Sequence, residues 1–213
     1  DLAHELRTPI TNMLTQVQVV LAHPRSNEAY RETLVSCAEE LQQLAQTVGD
    51  LLYLAQAEAP GALPSREPVA LDVVVDSLLE FYDLLAEDRQ LTLHREGTAR
   101  VEGNRLMLHR AIANLLSNAL KHAALGSDVR VRLVEDGNLC RISVHNIGTP
   151  IAEEALPRLF DRFYRGERGR HEGAGLGLAI TRAIAQAHGG TVSVTSDETG
   201  TVFELVLPSA SAR

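Results

Sequence analysis

The feature that most restricts the fold is an apolar stripe at heptad spacing in the first quarter of the chain. Leu6, Ile10, Met13, Val17 and Val20 step by 4, 3, 4 and 3 residues. Steps of this kind put the side chains on one face of a helix. The run His23-Pro24-Arg25-Ser26-Asn27 interrupts the pattern with turn residues. It then resumes as Tyr30, Leu34, Cys37, Leu41, Leu44, Val48, Leu51 and Ala55. A lone helical hairpin has no means of covering both of its stripes. Two copies cover them by forming a four-helix bundle. Residues 1–57 are therefore expected to make a homodimer.

Residues 58–68 carry three prolines and one glycine and read as a linker. Beyond it, helix and strand patterns mix. Residues 71–88 and 104–122 read as helices, and 90–95 and 99–102 as short strands. Residues 128–134 and 139–146 form a predicted hairpin across Glu135-Asp136-Gly137-Asn138. A helix over 176–188 and a last hairpin over 191–196 and 201–207 complete the set. This order predicts an α+β sandwich over 69–208, an antiparallel or mixed sheet with helices on one face. Residues 209–213 read as a frayed tail.

Composition narrows the function. The net charge is -8, Trp is absent and aromatic residues make up 4%. That argues against nucleic acid and against non-specific binding to an anionic membrane. No apolar run has the length of a membrane span. The chain starts three residues before a motif and is expected to be the cytoplasmic portion of a longer bacterial inner-membrane protein. Cys37 and Cys140 lack metal-ligand spacing and read as packed thiols in a reducing compartment.

On the helix 104–122, Asn114, Asn118, Lys121 and His122 share one face, opposite Leu108, Ile112, Leu115, Leu116 and Ala119. Two mid-helix asparagines weaken a helix, but an amide oxygen is a hard ligand suited to Mg²⁺. Lys121 is the one Lys among 20 basic residues, and an ammonium one turn on reaches a phosphate as a point charge. A solvated polar face is the plain alternative. Gly173-Ala174-Gly175-Leu176-Gly177-Leu178 precedes a helix whose first N–H groups suit an anion. It follows no predicted strand, so a dinucleotide fold fails its context test. Arg162, Arg165, Arg168 and Arg170, just before these glycines, fit a basic lid as well as a solvated run. Asn146 ends a strand on the inner face of Cys140, Ile142 and Val144 and is followed by Gly148. A carboxamide there matches the edge of an adenine, or makes an ordinary turn. At the start, His4 lies off the Leu6/Ile10 seam with Glu5 beside it and Thr8 one turn on, and Pro9 is expected to bend the helix. A neutral imidazole next to a carboxylate is a competent nucleophile for a phosphoryl group.

Taken in order, these segments resemble the sensor histidine kinases of two-component systems. His4–Thr11 resembles the phosphoacceptor H box, Asn114–His122 the N box, and Asn146–Ile151 the first glycine box. Phe160–Arg165 resembles the F box, Gly173–Leu178 the second glycine box, and Gly200–Phe203 with Leu207-Pro208 the closing segment. The stretch Asn146–Gly166 is most similar to the heavy-metal-responsive branch, such as copper and silver sensors.

The resemblance implies a dimerisation and phosphotransfer hairpin followed by a Bergerat-type ATP-binding domain. It implies Mg²⁺ at Asn118 with Asn114 assisting, phosphate at Lys121, and His122 against the nucleotide. It also implies Thr201 and Asn146 near adenine, and Gly148, Arg162, Arg165, Gly173, Gly175, Gly177 and Leu178 around ATP. Glu5 would act as base when His4 is phosphorylated, and Thr8 would place water when a response regulator is dephosphorylated. Most of the family has Asp where Asn146 stands. Replacing a charge-assisted bond by a neutral one is expected to weaken ATP by roughly 1 kcal/mol. Two other readings stay open: a plain ATPase of the same nucleotide fold, and a dimeric scaffold without nucleotide.

Overall fold

A computed structural model describes residues 2–57, 66–165 and 174–210, with the side chains of residues 2–5 left aside. Two helices come first, α1 (Leu2–Leu21) and α2 (Asn27–Ala57). The turn between them keeps Pro24, and Ser26 Oγ accepts from the Ala29 N–H at 3.2 Å, satisfying one orphan donor of α2. Pro9 stands inside α1, where the missing N–H falls within the second turn. The helices run antiparallel, and Cys37 Sγ donates to Gln16 Oε1 at 4.0 Å.

The heptad stripe is covered only by halves. Leu6, Met13 and Val20 of α1 and Cys37, Leu44 and Leu51 of α2 are half-buried. Ile10, Val17, Leu34, Leu41 and Val48, the alternate members of the same stripe, stay exposed.

The remaining elements are β1 (Glu67–Ala70), α3 (Leu71–Asp88), β2 (Thr92–Glu96), β3 (Arg100–Gly103), α4 (Arg105–His122), β4 (Asp128–Asp136) and β5 (Leu139–Asn146). They are followed by a short 3-10 turn (Leu156–Arg158), α5 (Gly177–Ala187), β6 (Thr191–Asp197) and β7 (Gly200–Pro208). Five strands make one sheet in the order β2-β4-β5-β7-β6. Only the β2–β4 pair is parallel, so the sheet is mixed, as one of the two predicted forms. Alternation fixes its faces: Val129, Val131, Leu133, Cys140, Ile142, Val144, Phe203, Leu205 and Leu207 point to one side and are buried. Helices α3, α4 and α5 cover that side.

Glu67 and Pro68 had been assigned to the linker, but they begin β1, which pairs antiparallel with β3. Proline hides this strand from a propensity reading. It is tolerated because a two-stranded sheet has an open edge where the absent N–H costs nothing. Residues 58–65 of the linker and 211–213 of the tail lie outside the described residues, whereas Ser209 and Ala210, expected to fray, are tied down by bonds from their N–H groups to Asn138 O at 2.8 Å and Arg100 O at 3.1 Å.

The lower part of α2 leaves the hairpin and enters the sandwich. Leu54 and Ala57 join the same apolar core as α3, α4 and α5. Arg110 of α4 pairs with Asp50 of α2 and lies 3.9 Å over the ring of Tyr53. Gln46 Nε2 donates to the same Asp50 carboxylate at 2.9 Å.

Candidate functional site

Helix α4 is the floor of the site. Asn104 caps its start, accepting from the Met107 N–H at 3.0 Å. Leu108, Ala111, Ile112, Leu115, Leu116 and Ala119 anchor it to the sheet. The face left over carries Asn114, Asn118, Lys121 and His122, and all four line one cleft of about 560 Å³. That volume is in the range of small-molecule sites.

Helix α5 forms the opposite rim. Gly175, Leu176, Gly177 and Leu178 line the same cleft. The helix begins at Gly177, so its unpaired N–H groups lie at the rim. Asn114 Nδ2 donates to Gly177 O at 2.9 Å. Thr181 Oγ1 donates to the same carbonyl at 3.0 Å. These bonds tie the glycine turn to α4 and set the Asn114 amide with its nitrogen toward α5.

Backbone demand explains the glycine at 175. Its φ is +67, and a Cβ there would stand 2.8 Å from Tyr164 O. Phe163, itself at φ 63, donates its N–H to Gly175 O at 3.0 Å. The F-box stretch and the glycine turn are therefore held together, and Arg165 joins the cleft lining.

A second group sits just past the end of α4. Asn146 and Thr201 are paired in register on β5 and β7 and are buried. Ser196 Oγ and Thr201 Oγ1 are 2.7 Å apart, and the Ile151 N–H donates to Ser196 Oγ at 3.0 Å. Ala123 bridges Gly148, and a Cβ at Gly148 would lie 2.3 Å from His122 O. Only glycine lets the strand end come this close to the helix end. Asn146, Gly148 and Thr201 thus adjoin the cleft behind His122 but are not among its lining residues, and neither is Arg162. Thr8 is exposed on α1 and is not among the cleft-lining residues. The side chains of His4 and Glu5, and Gly173 with Arg168 and Arg170, lie outside what the structure describes.

Sequence reasoning missed the fourth wall. Gln43, Gln46, Thr47 and Asp50 of α2 line the cleft, with Ser117, Leu159 and Tyr164. Nothing local marks the α2 residues, which reach the cleft only because Leu54 and Ala57 dock on the sandwich. Tyr53 pays for that docking: its hydroxyl is buried without a hydrogen-bond partner among the described residues. Burial pushes its pKa up, partly offset by Arg110.

Among the described residues no cluster of His, Cys, Asp and Glu is built to hold a metal. The side chains lining the cleft are amides, hydroxyls, His122, the cations Lys121 and Arg165, and one carboxylate, Asp50, which is paired with Arg110. That set fits a magnesium ion carried mainly by phosphate oxygens and water, and not a cage made by the protein.

A mixed sheet backed by three helices, with an asparagine-bearing floor and a glycine-led helix start, defines a nucleotide-binding ATPase domain carried on a helical hairpin. Comparison with known families agrees. Residues 103–211 match the histidine kinase-, DNA gyrase B-, and HSP90-like ATPase family. Residues 1–60 match the His kinase A phospho-acceptor domain. The chain belongs to the sensor histidine kinases. It is 46% identical over 212 residues to the sensor histidine kinase CusS of Escherichia coli K12, covering 98% of this chain and 44% of that protein. The chain thus spans less than half the length of that relative. The Acinetobacter baumannii histidine kinase AdeS has the same fold, with a TM-score of 0.79 at 22% identity over 97% of this chain and 98% of that one. ThkA, solved in complex with the response regulator protein TrrA, gives a TM-score of 0.79 at 21% identity over 98% of this chain and 60% of that one.

Proposed function

We propose that this chain binds ATP in the cleft between α4 and α5, phosphorylates its own His4, and passes the phosphoryl group to an aspartate of a response regulator. Residues 1–57 serve as the dimerising phosphotransfer hairpin and 69–208 as the ATP-binding domain. One observation carries the reading. The asparagine face of α4 and the start of α5 meet in one cleft, and its remaining wall is the turn of α2 that carries Gln46 and Asp50. Counted at 1.5 Å of rise per residue along both helices from the Gln16–Cys37 contact, the His4 backbone comes level with about residue 49, which supports the reading.

The residues divide the work. Backbone N–H groups at the start of α5 and the ammonium of Lys121 hold the phosphates. Arg165 and Arg162 add charge from the F-box side. Asn146 and Thr201 with Gly148 sit where adenine would lie, beyond His122. Mg²⁺, held at Asn118 with Asn114 assisting, supplies neutralisation of the phosphate oxygens. An imidazole nitrogen of His4 attacks the γ-phosphorus, forming an N–P bond as the bond to the β,γ-bridging oxygen breaks and ADP leaves. Glu5 accepts or orients the ring proton. The phosphoryl group then moves to a carboxylate oxygen of the regulator's aspartate and His4 is restored. Thr8 places water in the reverse, dephosphorylating role. The resemblance of 146–166 to the heavy-metal-responsive branch supports a metal signal reaching this chain from elsewhere in a membrane protein. Among the described residues no helix is long and apolar enough to cross a membrane.

Incubation with γ-labelled ATP tests this. The chain should take up label that is lost in acid and stable in base. His4→Gln should incorporate none while binding Mg-ATP as before. Incorporation retained in His4→Gln removes His4 from the mechanism. Turnover without any phosphoenzyme favours a plain ATPase.

A further inference from the structure

The turn of α4 that carries Lys121 has an electrostatic flaw. Lys121 and His122 are the last two residues of α4, so the ammonium proposed to hold phosphate stands in the turn next to a helix C-terminus. That end carries roughly -0.5 of a charge and exposes unpaired carbonyls. A lysine in the last turn offsets part of it. The chain supplies a second cation from behind.

Arg89, half-buried at the end of α3, reaches the terminus of α4. Its Nη1 donates to Leu120 O at 2.5 Å and to Lys121 O at 2.8 Å. Its Nη2 donates to Ala123 O at 3.1 Å. Ala119 O, one turn back, accepts from the Ala123 N–H at 2.8 Å. One guanidinium thus occupies three carbonyls, those of Leu120, Lys121 and Ala123. The planar fork with five donors allows this, and an ammonium lacks that reach. The base of the fork is itself fixed. The Arg89 N–H donates to Ala86 O at 3.1 Å, and Arg89 O accepts from the Gly126 N–H at 3.4 Å. Gln90, at φ 56, then turns the chain back into β2.

We infer that Arg89 is a positioning residue for phosphate binding: its fork closes the end of α4, sets the backbone of Lys121, and offsets the negative pole that stands beside the Lys121 ammonium. The inference rests on the nucleotide reading of the cleft and deepens it. Arg89 is not among the cleft-lining residues, so it acts through Lys121 and through the field at the helix end. A general stabilising role would weaken every ligand alike. The positioning role scales with the number of phosphates.

The test is equilibrium binding of Mg-ATP, Mg-ADP and adenosine to the whole chain and to Arg89→Met and Arg89→Lys, at a temperature well below the melting point of each. Arg89→Met should lose at least about tenfold for Mg-ATP, less for Mg-ADP, and under about twofold for adenosine. Arg89→Lys keeps the charge without the fork and should lose about threefold for Mg-ATP, again sparing adenosine. If Arg89→Met does not fold, Arg89→Lys decides alone. Equal losses for all three ligands, or an Arg89→Lys chain that binds Mg-ATP as the wild type does, overturn the inference. A wild-type chain that binds none of the three overturns the nucleotide reading and this inference with it. Wild-type binding with unaltered variants overturns only the role of Arg89.

Discussion

Leu34 and Leu41 on α2 leave 67% and 57% of their surface in solvent, whereas Leu116, Ile142 and Leu205 inside the sandwich leave none. The two regions use the same residue types with the same regularity, yet one is closed and the other open. The sheet and its three helices bury each other's apolar faces, so the sandwich is complete within one chain. The hairpin is two helices thick. It turns Leu6, Met13 and Val20 inward and must leave Ile10, Val17 and Leu34 outside. An open heptad stripe of this length suits the proposed second copy, whereas a closed core leaves nothing to cover. Between them stands the lower part of α2, whose Leu54 is 1% exposed because it has docked on the sandwich.

The sharpest way to break this contrast is to charge the open stripe. Leu34→Glu with Leu41→Glu removes four leucines from a dimer, at about 1.5 kcal/mol or more each. Analytical ultracentrifugation should show a monomer, and circular dichroism an intact sandwich. A dimer that persists would mean the copies meet elsewhere.

Next comes the closed side. Ile142→Ala leaves a cavity in the middle of β5 and should cost about 3 kcal/mol of unfolding free energy by urea titration, with the oligomeric state unchanged.

The docked segment should respond more mildly. Asp50→Ala strands Arg110 over Tyr53 and removes the acceptor of Gln46. Pulsed electron spin measurements between a label on α3 and one on α1 should show a broader distance distribution, with little change in melting temperature. An unchanged distribution would assign the docking to Leu54 and Ala57 alone.

The smallest effect concerns His188, buried where α5 ends against the start of α4. Its Nδ1–H lies 2.8 Å from Ile184 O, and the Asn104 N–H donates to its Nε2 at 3.0 Å. The Asn104 bond requires the neutral ring, because a protonated Nε2 cannot accept, whereas the Ile184 bond is kept in either state. Burial holds its pKa below the usual value, the Ile184 carbonyl opposes that shift, and Arg66 adds to it. A lowered folded pKa makes this contribution complete above the unfolded value near 6.5 and lost as pH falls below it. Between pH 7.5 and 5.5 the wild type should lose at most about 1.4 kcal/mol more than His188→Ala. Equal slopes for the two would show that the ring is not held neutral.

Periodicity alone located most elements, because helix and strand repeats are written into neighbouring residues. The stripe from Leu6 to Ala55 marked the hairpin. The alternation Cys140, Ile142, Val144 marked β5 and its inner face. The four-residue set Asn114, Asn118, Lys121 and His122 was legible for the same reason: a helix places residues four and seven apart on one side whatever surrounds it.

What the repeats could not specify is which face meets which partner. The parallel pairing of β2 with β4, the strand at Glu67–Ala70 and the setting of Asn146 behind His122 depend on contacts between residues far apart in the chain. So do the α2 wall of the cleft and the Arg89 fork. Gln43, Asp50 and Arg89 look like ordinary surface residues in the sequence. They acquire their places only when packing of Leu54 and of α3 brings a carboxylate to Arg110 and a guanidinium to the carbonyls of α4. Local pattern determined the pieces and the polar face of α4. Long-range burial, which no short window of sequence contains, decided how they enclose a cleft.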